Sequence, residues 1–502
     1  MPWGRSRPTL AFPSLATSGT PLTSTSRLNQ KVVVAIVYVS AMLLNTLDTT
    51  IINIALSTLA REFDVSPASI ESVVIGYLVS LAVFIPVSGW VGDRFGMKRT
   101  FLVALAVFTL ASLISGFAQS LPQLVLFRIL QGVGGGMLTP VGMAMLYRTF
   151  PPQERIGVGR ILMFATILGP ALGPIIGGVI LENWPWPWIF FVKVPVGLAA
   201  LIFGLLFLEE QREDDAGGFD FAGFLLGGLG FAAVMYALSE GPQRGWTSPI
   251  IAGTLTAGVV ALLLFVRTEL RQHEPMIQLR LFENRLFRTT LIVSFFGSAA
   301  FIGVLYLVPL FLQEALQLSP FEAGITTAPE AIGVVTSTQI VARIYPRVGP
   351  RRLMSFGLSG VAVSIFLMSL MQLDTSIWIF RLLMFALGAS MACLFLPNQA
   401  ASLATISRRD TGRATTLTNV QRQLGSALGV ALLSTVLSAA GAVVTTSDGT
   451  TEPNLIAYRA AFIAAGAIAI VGAFIARRVP DEDAANTMVP RGAAARQRAQ
   501  AS

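Results

Sequence analysis

Three charged residues fall within stretches of the sequence that are otherwise apolar. Asp48 lies about 24 Å along one such run, Arg128 about 9 Å along another and Glu330 about 15 Å along a third, at 1.5 Å of helix per residue. A charge is costly inside a bilayer, so acids and bases found there usually move protons, bind ligands or pair with each other. These positions therefore predict the binding and release of protons.

Asp48 and Arg128 are candidates for one coupled pair. Burial favours the neutral form of a carboxyl group and a nearby arginine favours its charged form, so a balance of the two could place proton binding near neutral pH. Arg128 keeps its charge and must find a partner in lipid, for which Asp48 is the candidate. The alternative is that Asp48 only forms a hydrogen bond to a neighbouring helix.

Glu330 could recognise a cationic substrate, take up a proton, or do both in turn, and the alternative is a structural acid that faces the interior of a helix bundle. We predict that Asp48, Asn53, Tyr77 and Glu330 bind a substrate and that Asp48 and Glu330 exchange protons.

Several kinds of chemistry are excluded by what the sequence lacks. It contains no Gly-x-x-x-x-Gly-Lys-Ser/Thr loop for ATP. His273 is the single histidine and stands in a linker, so a histidine proton relay is not available. The single cysteine, Cys393, allows no intramolecular disulfide. We expect no enzyme activity, no cofactor and no metal site.

The composition is that of a membrane protein. Of 502 residues, 54% are hydrophobic and 12% are charged, and the mean hydropathy is +0.69. Apolar runs long enough to cross a bilayer as helices recur along the chain. We predict fourteen, near 32–59, 70–91, 100–118, 122–147, 158–181, 188–208, 221–239, 249–267, 289–312, 321–344, 353–372, 376–401, 414–440 and 456–476.

The basic residues follow a membrane topology, since cytoplasmic loops are enriched in Lys and Arg. One side collects the basic residues of ranges 5–31, 94–99, 148–160, 267–288, 347–352, 408–413 and 477–478. The opposite loops hold little beyond Arg61, Arg244 and Arg459, with Lys193 just inside one helix. The net charge of +8 therefore indicates no nucleic-acid partner. We predict both termini in the cytoplasm, with disordered tails at 1–31 and 477–502 and no cleaved signal peptide.

The chain repeats itself at a displacement of 253 residues. Identical pairs include Arg94 with Arg347, Gly96 with Gly349, and Arg128 with Arg381. This repeat predicts two six-helix bundles, at 32–208 and 289–476, which could pivot about a site held between them. The linker 209–288 then carries two extra helices.

The segment 89–99 reads Gly-Trp-Val-Gly-Asp-Arg-Phe-Gly-Met-Lys-Arg. Its glycines suit a tight loop with unusual backbone angles, and its charges could pair with neighbouring helix ends to hold the cytoplasmic face shut. The pattern resembles the signature loop of the major facilitator superfamily. We predict a cytoplasmic gate formed by Gly89, Gly92, Asp93, Arg94, Gly96, Lys98 and Arg99. In the second copy Pro346 replaces the aspartate, which predicts a weaker latch.

The predicted fifth helix has small residues and prolines at every fourth position, which form a flat face for close helix packing. The residues are Gly169, Pro170, Gly173, Pro174, Gly177 and Gly178. This pattern resembles the antiporter motif of superfamily exporters. The run Leu47-Asp48-Thr49-Thr50-Ile51-Ile52-Asn53 resembles the first-helix motif of the fourteen-span drug:proton antiporters (the EmrB/QacA group), although Ser57 stands where that group usually has proline.

The resemblance implies an all-α major facilitator fold and proton-coupled export of lipophilic, cationic or neutral compounds. It also implies a role for Arg128 in proton transfer, whereas its mate Arg381 is expected to be structural. Two alternatives remain: a dedicated exporter of one metabolite, siderophore or amino acid, and a transport-inactive sensor or scaffold. The expected partners are a small-molecule substrate, protons and the lipid bilayer of the inner (plasma) membrane. We expect a monomer. The resemblance leaves open whether a periplasmic adaptor and an outer-membrane channel also take part.

Overall fold

The computed structural model describes residues 29–65, 70, 72–151, 154, 157–158, 172–173, 176–211, 220–272, 277–407, 410–441, 443–445 and 451–488. Most of this part of the chain is helical. The long helices are strongly apolar and lack polar loops within them, because a backbone inside lipid must satisfy its hydrogen bonds within the helix.

The first half and the linker contain eight helices among the described residues. They are α1 (Gln30–Glu62), α2 (Ser72–Phe95), α3 (Met97–Ser115), α4 (Leu121–Thr149), α5 (Trp188–Phe191), α6 (Val194–Phe207), α7 (Phe221–Arg244) and α8 (Pro249–Arg271). Residues 176–183 are also helical.

The second half begins after a short 3₁₀ turn, Leu279–Glu283. Its helices are α9 (Arg285–Leu310), α10 (Pro320–Thr327), α11 (Pro329–Val348), α12 (Pro350–Ser369), α13 (Ile377–Ala401), α14 (Thr411–Ala440), α15 (Leu455–Ala476) and α16 (Ala485–Met488). A π-helical turn, Phe311–Ala315, extends α9. Strands β1 (Val443–Thr445) and β2 (Thr451–Pro453) pair antiparallel before α15, with Val444 opposite Glu452.

Twelve helices in the described part of the chain are long and apolar enough to cross a membrane. They match twelve of the fourteen predicted spans. Most of the predicted fifth span, 158–181, lies outside the described residues, as do the predicted tail 1–28 and residues 489–502. The segment predicted as the tenth span, 321–344, is divided into the two consecutive helices α10 and α11 and is not among the twelve.

Pro329 explains the interruption between α10 and α11. Proline has no N–H to donate to the preceding turn, so the hydrogen-bond ladder stops there. The backbone at Ala328 nevertheless keeps helical angles of φ −52° and ψ −34°. Helix α10 begins with a complete capping box formed by Ser319 and Glu322.

The packing repeats between the two halves, as the sequence repeat predicts. In the first half α4 packs against α2 and α3, and in the second α13 packs against α11 and α12. Glycines allow these close approaches. A methyl group added at Gly132 of α4 would lie 2.6 Å from the backbone oxygen of Tyr77 in α2.

The inserted helices α7 and α8 form a hairpin at the junction of the two halves. Helix α7 packs against α2 of the first half and α14 of the second. Asp220 caps α7 by accepting a hydrogen bond from the Gly223 N–H at 2.8 Å. Trp246, in the turn between the two helices, donates to Thr435 of α14 at 2.8 Å. This hairpin, which the sequence predicts to be an insertion, therefore contacts helices of both halves.

Candidate functional site

A cluster of buried polar side chains surrounds Asp48 of α1. Arg128 of α4 donates from Nη1 to Asp48 Oδ2 at 2.6 Å, and both side chains are 0% exposed. Gln131, one turn further along α4, donates from Nε2 to Asp48 Oδ1 at 3.0 Å and accepts from Arg128 Nη1 at 2.6 Å. The predicted partnership between Asp48 and Arg128 is therefore present as a direct ion pair.

A second cation completes the cluster. Lys193 forms an ion pair with Asp48 Oδ1 and is 3% exposed. It occupies the corner between α5 and α6, where Pro195 stands in the first turn of the next helix, and its ammonium lies 4.8 Å from the centre of the Phe190 ring. Asp48 thus joins α1, α4 and the α5–α6 corner.

One aromatic side chain, Tyr77, and one amide side chain, Asn45, extend the cluster. The Arg128 guanidinium lies 4.3 Å from the centre of the Tyr77 ring, a cation–π contact. The Tyr77 hydroxyl donates to Asn45 Oδ1, one turn before Asp48 on α1. Tyr77 is 1% exposed, so this residue of the predicted substrate-binding set is buried against Arg128.

The charges in this cluster do not cancel. One carboxylate faces two cations, and within the described part of the chain the Nη2 atom of Arg128 is buried without a hydrogen-bond partner. A buried charge is tolerated only when it is paired, so Asp48 is what keeps the two cations in place. If Asp48 took up a proton, Arg128 and Lys193 would be left facing each other. The charge of Asp48 therefore ties three helical segments together.

Glu330 lies apart from this cluster, in the first turn of α11. Its side chain is half-buried, and its backbone oxygen lies against Gly388 of α13. Among the described residues its carboxylate forms no ion pair, unlike that of Asp48. Asn53 lies in α1, but its side chain is outside the described residues.

The predicted gate is centred on Asp93, which is 4% exposed at the end of α2. Arg148 of α4 donates from Nη2 to Asp93 Oδ1 at 2.7 Å. A methyl group added at Gly412, in the first turn of α14, would lie 3.1 Å from the same oxygen. Asp93 therefore approaches the N-terminus of a helix from the other half, where the helix dipole favours negative charge.

The gate glycines have two different roles. Gly96 adopts φ +97° between α2 and α3, as predicted for a tight loop. For Gly89 and Gly92 that prediction is wrong, because α2 continues through both of them. Gly89 is instead a contact point, since a methyl group there would lie 2.7 Å from Thr416 Oγ1 and 3.1 Å from the Gly412 oxygen of α14.

The cationic end of the gate binds the segment after α6. The Lys98 N–H donates to Glu210 Oε1 at 2.9 Å, and the Lys98 ammonium donates to the Leu208 oxygen at 2.6 Å. Arg99 Nε lies 3.7 Å from Glu210 Oε2. Arg94 is exposed to solvent.

The second copy of this arrangement lacks the aspartate but keeps the turn. Gly349 adopts φ +81°, and Asp481 accepts from the Arg351 N–H at 2.8 Å in the place that Glu210 takes in the first half. The two halves also meet directly at this end of the molecule. The Tyr147 hydroxyl donates to the Gln399 oxygen at 2.7 Å, and Thr415 Oγ1 donates to the Pro140 oxygen at 3.2 Å.

Half of the predicted antiporter motif can be placed. Gly173 packs on α1, because a methyl group added there would meet the Thr50 side chain. A methyl group at Gly177 would lie 3.5 Å from Ile51, whereas one at Gly178 would meet nothing within 4 Å. Gly169, Pro170 and Pro174 lie outside the described residues.

Sequence reasoning missed three members of the Asp48 cluster. Lys193 carries a signal that could have identified it, since it is a lysine within an apolar stretch at the end of the bundle that otherwise has few cations. Gln131 follows Arg128 by one helical turn, which places both on one face. Asn45 precedes Asp48 by a similar distance and gives no separate signal.

Comparison with known proteins identifies the family. The model of the Major Facilitator Superfamily matches residues 38–430 and 347–499. The chain belongs to the major facilitator superfamily. A relative named multidrug resistance protein B homolog, from Mycobacterium tuberculosis, is 31% identical over 410 residues, which cover 80% of this chain and 75% of the relative. A relative named putative multidrug resistance protein MdtD, from Klebsiella pneumoniae, is 31% identical over 448 residues, which cover 89% and 94%.

Solved structures of other major facilitator proteins share the fold. The human organic anion transporter MFSD10 has a TM-score of 0.63 and 15% identity, with 89% of this chain and 99% of that chain covered. The proton:xylose symporter XylE gives the same TM-score and identity, with 92% and 99% covered. This major facilitator protein is thus a multi-pass membrane transporter for a small molecule and not an enzyme.

Proposed function

We propose that this transporter is a proton-coupled antiporter of the fourteen-span drug:proton group, and that it exports lipophilic, cationic or neutral compounds across the cytoplasmic membrane. The observation that carries the proposal is the cluster in which Asp48 holds Arg128 and Lys193 away from water. An acid that is merely structural needs one partner, whereas this one balances two cations from different parts of the bundle.

The cluster supplies a means of coupling. With Asp48 charged, α1, α4 and the α5–α6 corner are tied together. Proton uptake by Asp48 would remove the only charge in the cluster that attracts both cations. Their mutual repulsion would then favour a different packing of these helices, and loss of the proton would restore the first one.

The predicted cytoplasmic gate supports alternating access. The two halves meet at Asp93, Thr415 and Tyr147, at the end of the bundle that the basic loops assign to the cytoplasm. This conformation would be closed to the cytoplasm. Rocking of the two halves would break these contacts, admit a substrate from the inside and release it on the other face.

The names of the relatives support a drug substrate, since two of them are called multidrug resistance proteins. Glu330 is half-buried and would select compounds that carry a positive charge. An adaptor and an outer channel would join only in a cell with two membranes. The two spans beyond the twelve described ones would be the segment near 158–181 and the pair α10–α11.

The proton gradient is large enough for such export. One proton that moves inward down about 100 mV and one pH unit releases about 3.7 kcal/mol. At one-for-one exchange this energy supports about 500-fold accumulation of the substrate outside.

The test is substrate-driven proton release in everted membrane vesicles, followed with a dye that reports acidification of the lumen. Addition of a lipophilic cation or neutral compound should dissipate the gradient in vesicles that contain the native chain. Asp48→Asn should abolish this response although the protein still reaches the membrane. Glu182→Gln, an exposed acid, is the matched control.

The same assay separates the alternatives. A dedicated exporter would respond to one chemical class in a panel of unrelated compounds. A transport-inactive sensor would leave the gradient unchanged with every compound, and its cellular phenotype would survive Asp48→Asn. Retention of full proton-coupled flux in Asp48→Asn would refute the proposed mechanism.

A further inference from the structure

Arg422 of α14 is a further charge at the middle of the membrane. It follows Thr411, the first residue of α14, by about 16 Å of helix, and the apolar layer of a bilayer is about 30 Å thick. It lies two helical turns beyond Thr415 and hence on the same face. Because Thr415 donates to the Pro140 oxygen of α4, this face of α14 looks across to the first half.

Arg422 differs from Arg128 and Arg148 in its partners. Among the described residues no carboxylate forms an ion pair with it, whereas Arg128 has Asp48 and Arg148 has Asp93. It donates a hydrogen bond from Nη2 to Asn419 Oδ1 at 3.0 Å. Arg422 is half-buried.

Asn419 fixes the direction of this arginine. The Asn419 amide is 3% exposed, and its Nδ2 donates to the Thr415 oxygen one turn earlier on α14 at 2.8 Å. Its Oδ1 is thereby turned towards Arg422. The guanidinium has five N–H donors in a planar fork, most of which stay available to an acceptor from outside the chain.

A second unused donor faces the same region from the other half. Tyr38 of α1 is 1% exposed, and its hydroxyl is buried without a hydrogen-bond partner in the described structure. Its ring would meet a methyl group added at Gly142 of α4, two residues from the Pro140 oxygen that accepts from Thr415 of α14, so Tyr38 lies beside the same junction of the two halves. An unsatisfied buried hydroxyl costs stability, so a ligand that accepts from it would gain from the contact.

We propose that Arg422 and Tyr38 form an anion-accepting subsite between the two halves, oriented by Asn419, which binds the carboxylate or phenolate of a lipophilic substrate. The inference rests on the proposed export function and extends its substrates to compounds with one acidic group. Asp48 does not neutralise the Arg422 guanidinium in place of a ligand, because both Asp48 oxygens already accept from side chains of the first half.

The experiment measures export into everted vesicles with three probes. They are a fluorescent lipophilic carboxylic acid, its uncharged methyl ester, and a lipophilic quaternary ammonium dye. The variants are Arg422→Gln, Arg422→Lys and Tyr38→Phe. The control is Arg381→Gln, which removes an arginine that lies 4.6 Å from the Trp378 ring at the start of α13.

The Arg422→Gln variant should export the acid and its ester at different rates. Export of the acid should fall about tenfold, as expected for loss of a charge-assisted hydrogen bond, while export of the ester and the dye stays within about twofold. Arg422→Lys should keep more acid export than Arg422→Gln, and Tyr38→Phe should lower acid export alone. Arg381→Gln should leave the acid-to-ester ratio unchanged.

Two outcomes would overturn the subsite, and a third would overturn the export function. Equal losses of acid and ester in Arg422→Gln would overturn the subsite, because they indicate a structural role for the arginine. Export of the ester and the dye but not the acid by the native chain would also overturn it and leave the export function intact. Failure of the native chain to move any probe against a proton gradient would overturn the export function itself.

Discussion

The cluster at Asp48 predicts a strong energetic coupling between Asp48 and Lys193. Asp48→Asn keeps the shape of the side chain but leaves two buried cations without a counter-charge. Removing one partner of a buried ion pair costs about 3–5 kcal/mol. Lys193→Met leaves Asp48 with Arg128 and Gln131, so it should cost only the loss of a hydrogen bond to a charged group, about 1–3 kcal/mol.

The double variant should be much less damaging than the sum of its parts. With both Asp48 and Lys193 replaced, Arg128 alone is stranded, and we expect a cost of about 3–5 kcal/mol again. The two single costs together amount to about 4–8 kcal/mol, so the coupling energy between the sites should be about 1–3 kcal/mol.

The assay is a double-mutant cycle on the free energy of unfolding, measured in mixed micelles with increasing SDS. Glu182→Gln serves as the matched acid-to-amide control, because Glu182 is exposed, and should change stability by less than about 0.5 kcal/mol. If the costs of Asp48→Asn and Lys193→Met simply add within about 0.5 kcal/mol, the two side chains are independent and the reasoning fails.

Three further predictions concern the glycines of the predicted antiporter motif, the contact of Gly89 with α14, and Glu330. Gly173→Ala should slow export several-fold because its methyl group would meet Thr50, whereas Gly178→Ala should be tolerated because it meets nothing within 4 Å; export rates at equal membrane levels compare them. Gly89→Val should separate the halves at Thr416, so amide hydrogen exchange in the first turns of α14 should rise about tenfold, and unchanged exchange would contradict the latch. Glu330→Gln should lower export of a lipophilic cation more than export of a neutral compound, and equal effects on both would show that Glu330 does not select charge.

Much of the architecture could be predicted from the sequence, since hydropathy acts residue by residue. A helix in lipid must bury its backbone polar groups internally, so a sufficiently long apolar run has few other structures available to it. Twelve of the predicted spans are confirmed in this way. The left-handed turn at Gly96 was also predicted, because it depends on neighbouring residues alone.

The contacts between distant helices could not be predicted in the same way. Lys193 and Asp48 are 145 positions apart, and nothing near either residue specifies the rotation and tilt that bring them together. The same holds for the contact of Gly89 with α14, because local reasoning assigned Gly89 to a loop.

The sequence by itself determined which segments enter the membrane and that Asp48, Arg128 and Glu330 are charged within them. The tertiary structure alone decided that Asp48 balances two cations, that Glu330 stands apart, and that Arg422 faces the other half without a carboxylate among the described residues. The physical reason is that transfer into lipid depends on local composition, whereas pairing of charges depends on how whole helices pack.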